Sequence, residues 1–123
     1  MREGGEMTEF IIPGHARPAA RMTQKTKWTE RARQGLEYQD RVGWYAAANH
    51  VPKYDGDVVL TCRFTFSTKR HGDLSNLVKA IEDGLQYANV LINDKQVKEY
   101  GAGTGIYYGD VEQAVVIIQE RGI

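Results

Sequence analysis

Residues 57–67 constrain the fold more than any other stretch of this 123-residue chain, because they alternate without a break. Val58, Leu60, Cys62, Phe64 and Phe66 fall on one face, and Val59, Thr61, Arg63, Thr65 and Ser67 on the other. Side chains of an extended strand point to opposite faces in turn, so this pattern predicts a strand with the first face toward a core. A strand needs partners, and the rest of the chain supplies candidates. Residues 10–12 read as a short strand ended by Pro13 and Gly14, followed by a basic loop holding Pro18. A proline-free run over 29–49, with Gly35 and Gly43 as weak points, predicts a helix. Lys69, Arg70, His71 and Gly72 form a basic turn ahead of a second helix over 74–88. Residues 96–108 and 111–119 read as two closing strands, joined as a hairpin at Gly109-Asp110. The order β-α-β-α-β-β predicts an α/β (α+β) fold: one small domain with a mixed β-sheet and two main helices. Residues 1–7, Gly- and Glu-rich at the start, are expected to be a disordered leader, leaving 8–123 as the domain.

Composition narrows the class. With 41% hydrophobic and 26% charged residues, the chain can bury one core without disulfides or a structural metal. The single cysteine, Cys62, excludes an internal disulfide framework. The longest apolar runs, such as 114–118, are too short to span a bilayer, and no apolar signal segment precedes the domain, so the expected location is the cytoplasm, with no membrane partner. Sixteen basic residues balance sixteen acidic ones, yet they are unevenly placed. Arg17, Arg21, Lys25, Lys27, Arg31 and Arg33 stand against Glu30 alone between positions 14 and 36. Glu82, Asp83, Asp94, Glu99, Asp110, Glu112 and Glu120 stand against Lys95 and Lys98 further on. A basic segment beside an acidic one suits a protein that grips phosphates and holds cations; the plainer alternative is an uneven solvated surface.

On a helical wheel of the second helix, Leu74, Leu77, Val78, Ile81 and Leu85 gather on one side, while Asn76, Lys79 and Asp83 share the opposite, polar face. Asp73 sits where an N-cap belongs, so a capping role competes with a chemical one. A second acidic position follows in Asn93-Asp94, which alone is an ordinary turn. Phosphodiester hydrolysis at neutral pH needs hard oxygen ligands for Mg²⁺, which lowers the pKa of the attacking water. Two aspartates from separate elements, with a lysine able to steady a phosphate, make up such a constellation.

Residues 73–96 resemble the RusA family of Holliday-junction resolvases, whose pattern is Asp-x-Asp-Asn-x-x-Lys-x-x-x-Asp-x-Leu and then Asp-Asp-x-Gln. The matching positions are Asp73, Ser75, Asn76, Lys79, Asp83 and Leu85, followed by Asn93, Asp94 and Gln96. The opening Ile-Pro-Gly with arginines behind it is also similar. The resemblance implies a Mg²⁺-dependent endonuclease, with Mn²⁺ able to substitute, that cuts four-way branched DNA as a homodimer in recombination and repair, of a kind often carried by phages and prophages. It implies Asp73, Lys79 and Asp94 as catalytic residues, Asp73 and Asp94 as metal ligands, and Asp83, Ser75 and Asn93 as secondary metal candidates. Asn76 and Gln96 would support the site. Ser75 and Asn93 each replace a family carboxylate, which thins the expected metal shell.

Under this reading Arg17, Arg21, Lys25, Lys27, Lys69 and Arg70 contact DNA phosphates, fixing position rather than reading sequence. The alternative is a branched-DNA-binding protein whose metal site is impaired at Ser75 and Asn93; a structural protein of the same fold ranks behind both. Other motifs carry less. His15, His50 and His71 lack the spacing of a zinc site. The run 101–105, rich in glycine, lacks the Lys-Ser/Thr of a phosphate loop and reads as a bulged strand. Cys62 faces the core, which favours packing over nucleophilic attack, and Trp28, Trp44 and Tyr45 read as core rather than base-stacking aromatics.

Overall fold

The computed structural model describes residues 6–19 and 29–122. Its elements are β1 (Met7–Pro13), α1 (Glu30–Ala48), β2 (Val58–Phe66), α2 (Leu74–Tyr87), a single 3-10 turn (Asp94–Gln96), β3 (Val97–Tyr100), β4 (Gly105–Tyr108) and β5 (Gln113–Glu120). The expected mixed sheet with two helices is therefore present, with three closing strands in place of two.

The strand predicted from alternation is the centre of that sheet. All five residues of its predicted core face, Val58 through Phe66, are fully buried. On one edge β2 pairs antiparallel with β5, which pairs antiparallel with β1. Its other edge takes two parallel segments in succession, β3 against Val58–Leu60 and β4 against Arg63–Phe66. Strands β1 and β5 turn Phe10, Ile12, Ala114, Val116 and Ile118 to the same side. There they meet Tyr38, Val42 and Ala46 of α1 and Leu77, Ile81 and Leu85 of α2 in one core.

Two sequence expectations are corrected. No hairpin forms at Gly109-Asp110, because β4 and β5 flank β2 on opposite edges. The reason lies in burial. Strand β5 can hide alternate apolar residues in the sheet interior, whereas Tyr107 and Tyr108 suit an edge. The 96–108 strand is interrupted at 101–104, as its glycines suggested: Gly101 N–H donates to the Leu60 carbonyl, and a Cβ there would lie 1.9 Å from Thr61 Oγ1. Strand β1 begins at Met7, which pairs with Gln119, and Glu6 N–H donates to the Glu120 carboxylate. Strand β1 extends as far as its partner β5 offers backbone groups.

The helices follow their caps. Thr29 accepts a hydrogen bond from Ala32 N–H and starts α1, and Asn49 ends it. The two helices meet at Gly84, where a Cβ would fall 2.5 Å from the Val42 Cβ. Glycine costs about 1 kcal/mol inside a helix, and here it permits the close crossing that sets how α2 lies on the sheet. Among the described residues no helix is long and apolar enough to cross a membrane.

Candidate functional site

Helix α2 carries two chemically opposite regions. Its N-terminal end opens into a cleft of about 490 Å³ walled by His15, Arg17, Arg31, Gln34, Arg70, His71, Asp73 and Asn76. Asp73 occupies the N-cap position, but its side chain makes no capping bond. The capping account of this residue therefore fails, and its carboxylate stands exposed in a basic cleft beside the N–H groups of the first helical turn. Such groups carry partial positive charge and favour an anion.

The walls of this cleft are braced by histidine. His71 stacks on Phe66 with ring centroids 4.5 Å apart, its Nδ1 lies 2.9 Å from the Gly72 carbonyl, and its Nε2 lies 2.8 Å from the Tyr108 hydroxyl. His15 meets the edge of the same Phe66, and its Nδ1 is 3.0 Å from Glu112. Glu112 also accepts from the Ser67 backbone N–H and hydroxyl. The Ser67 bond, followed by His15, holds the Glu112 carboxyl below the usual carboxylate range.

Further along α2 the chemistry reverses. Lys79 Nζ donates to Asp83 at 2.9 Å and to Asp94 at 3.5 Å, so one ammonium joins two carboxylates from separate elements. Asp83 and Asp94 raise the Lys79 pKa above its ordinary value, keeping it a cation. Glu82, only 6% exposed, accepts a 2.7 Å bond from the Tyr100 hydroxyl. Burial pushes the Glu82 carboxyl up, and the charges of Asp94 and Asp83 add to that, against the opposing Tyr100 bond and Lys79.

The remaining site candidates separate by role. Ser75 points away from the basic cleft into a second one of about 510 Å³, shared with Tyr100 and the 101–104 loop. Positions two apart on a helix face different ways, which is why Asp73 and Ser75 part company. Asn93 caps the 3-10 turn, its side chain accepting from Lys95 N–H. Gln96 is buried and joins four backbone groups: it accepts from Ile92 and Asn93 N–H and donates to the Tyr54 and Gly56 carbonyls. Gln96 thus fixes the turn that presents Asp94. Arg17 and Arg70 line the basic cleft and Lys69 is exposed nearby in sequence; Arg21, Lys25, Lys27 and Trp28 lie outside the described residues. Burial drives the Cys62 thiol pKa up, so Cys62 is no nucleophile. Trp44 is 64% exposed, which corrects its assignment to the core.

Two contributors were not singled out in the sequence. Arg31 is the cationic wall of the basic cleft contributed by α1. Glu82 lies at the border of the apolar stripe, three residues after Lys79, and that spacing was the available signal. Among the described residues no three His, Cys, Asp or Glu side chains are grouped so as to hold a metal ion.

A family model described as endodeoxyribonuclease RusA matches residues 11–119, nearly the whole chain. No curated protein matches it.

Proposed function

This chain belongs to the RusA endodeoxyribonuclease family, and from that premise we propose that it resolves four-way DNA junctions by paired, Mg²⁺-dependent phosphodiester cleavage as a homodimer. The observation that carries this reading is the pairing of regions on α2. An anion-holding cleft at Arg17, Arg31 and Arg70 adjoins a cation-holding group at Lys79, Asp83 and Asp94. A DNA strand along the helix would meet both.

The residues fit Mg²⁺ in kind. Their donors are hard oxygens, and Asp83 and Asp94 against Lys79 leave one negative charge in excess. Mg²⁺ binds through one or two carboxylates and keeps several waters, so an open set of carboxylates suits it. Asp94 and Asp73 would hold it, with Asp83 as a secondary donor; Ser75 opens on the other cleft and the Asn93 side-chain oxygen already accepts from Lys95 N–H. When bound, the ion would lower the pKa of the attacking water and neutralise charge on the phosphate.

The chain's own groups do the rest. Arg17, Arg31 and Arg70 hold the phosphodiester backbone and set its register without reading bases. Arg21, Lys25, Lys27 and Lys69 extend that grip. Lys79, protonated throughout the neutral range, offers its ammonium to the phosphate as negative charge develops. Gln96 keeps Asp94 in position, and Asn76 lines the basic cleft. Two copies related by a two-fold axis would present two such sites to opposing strands.

The test is a synthetic four-way junction incubated with Mg²⁺ and the protein, beside Asp73→Asn and Lys79→Ala. Symmetric nicking that both substitutions abolish, with binding retained, supports the reading. Tight binding without cleavage by the unaltered protein overturns it in favour of a branched-DNA-binding protein impaired at Ser75 and Asn93.

A further inference from the structure

We propose that His71 is a positioning residue for Asp73: braced by Phe66 and Tyr108, it fixes the peptide that carries this aspartate and so leaves the carboxylate free for chemistry. The inference rests on the junction-nuclease reading above, in which Asp73 acts, and adds to it residues that the family pattern does not include.

Asp73 is fixed through its backbone. Its carbonyl accepts the first helical bond of α2, from Leu77 N–H at 3.0 Å. An N-cap aspartate is ordinarily ordered by its side chain, which accepts from the first turn, but the Asp73 carboxylate makes no such bond. Order comes instead from the preceding peptide. His71 Nδ1 lies 2.9 Å from the Gly72 carbonyl, and a carbonyl only accepts, so Nδ1 carries the ring proton. That carbonyl shares a plane with the Asp73 N–H, so the bond sets how Asp73 enters the helix. Pro18 closes the opposite side: a Cβ on Gly72 would meet its ring at 3.0 Å, and the next residue, Ala19, donates its N–H to the Asn76 carbonyl.

The His71 ring is itself held on three sides. It stacks on the fully buried Phe66 with centroids 4.5 Å apart and planes 17° from parallel. With the proton on Nδ1, the uncharged ring accepts at Nε2 from the Tyr108 hydroxyl, 2.8 Å away. Phe66 and Tyr108 end β2 and β4 and are partners in register. The sheet therefore fixes the ring, and the ring fixes the peptide. Imidazole combines a flat face for the stack with a donor at one edge and an acceptor at the other. Phenylalanine would keep the stack without the donor; asparagine would keep a donor without the stack. Support of this kind holds a reacting group in productive geometry.

Three measurements test this in the full chain. The first is the imidazole ¹⁵N spectrum of the metal-free protein at about pH 8, above the ordinary histidine range. It should show His71 protonated at Nδ1 and bare at Nε2; the reverse tautomer overturns the proposal. The others are the junction Kd and the single-turnover rate of junction cleavage with Mg²⁺ at saturating DNA. His71→Phe should slow cleavage by about tenfold or more with Kd unchanged within about twofold, since displacing a reacting group by about an ångström costs up to about 100-fold. His71→Asn should recover most of that rate, because its amide offers an N–H to the Gly72 carbonyl. An unchanged rate in His71→Phe, or a loss confined to Kd, overturns the positioning role and leaves the nuclease reading standing. Should His71→Phe fail to fold, Tyr108→Phe decides, because it alters only an exposed hydroxyl on an edge strand. Several-fold slower cleavage then supports the proposal, and an unchanged rate overturns it. A junction left uncut by the unaltered protein overturns both readings.

Discussion

Two carboxylates near the candidate site, Glu112 behind the basic cleft and Glu82 on α2, have shifted pKa values, and the shifts run in opposite directions. Glu112, bracing the basic cleft, receives N–H and hydroxyl donors from Ser67 and contacts His15, so its charged form is favoured. Glu82, beside Asp83 and Asp94, is buried among like charges with Tyr100 as its hydrogen-bond donor, so its charged form is disfavoured. The same functional group is thus a brace in one region and a stored electrostatic cost in the other. Donors that satisfy a carboxylate favour its charged form, whereas burial beside other acids disfavours it.

The largest effect should come from removing a charge from the acidic region. Asp94→Asn is expected to lower single-turnover junction cleavage by about 100-fold or more while binding persists; binding lost in parallel would merge the two regions into one. Gly84→Ala strikes what they share. Its new methyl would collide with Val42, destabilising the fold by about 1–3 kcal/mol, read as a lower midpoint of thermal unfolding.

Changes confined to the basic cleft should be gentler. Arg31→Ala and Arg70→Ala are expected to weaken junction binding for all sequences alike, each reducing the salt-dependence slope by roughly one. Cleavage at saturating DNA should change little; a collapse in that rate with binding intact would assign chemistry to the cleft.

The smallest effects concern the paired carboxylates. The Glu82 pKa is raised in the folded protein, so its charge destabilises the fold above that pKa and ceases to matter below the ordinary carboxylate range. Metal-free Glu82→Gln should therefore unfold at higher temperature than the unaltered protein at neutral pH, with the difference vanishing as pH falls through that window. The Glu112 pKa is lowered, so its contribution is present above the ordinary carboxylate range and is lost as pH falls through the depressed value. Glu112→Gln should be the less stable protein at neutral pH and should converge on the unaltered one in acid. Thermal melts across pH check both, and shifts of the same sign would erase the contrast.

Much of this organisation was legible in the chain itself. Alternation over 57–67 located the central strand, and the run from Asp73 to Gln96 carried the family pattern. Both are local properties, set by the period of the backbone and by which residues a motif places in sequence. Strand partnership was not local: β4 and β5 are neighbours in sequence but lie on opposite edges of β2, because burial of Val116 and Ile118 decided which segment took the interior position. Nor did the sequence reveal that Asp73 leaves its helix uncapped, that Arg31 crosses from α1 into the cleft, or that Glu82 meets Tyr100 eighteen residues away. Composition and periodicity determine which faces must be buried and which residue types are at hand; only packing brings together side chains from distant segments, and with that the electrostatic environment of each.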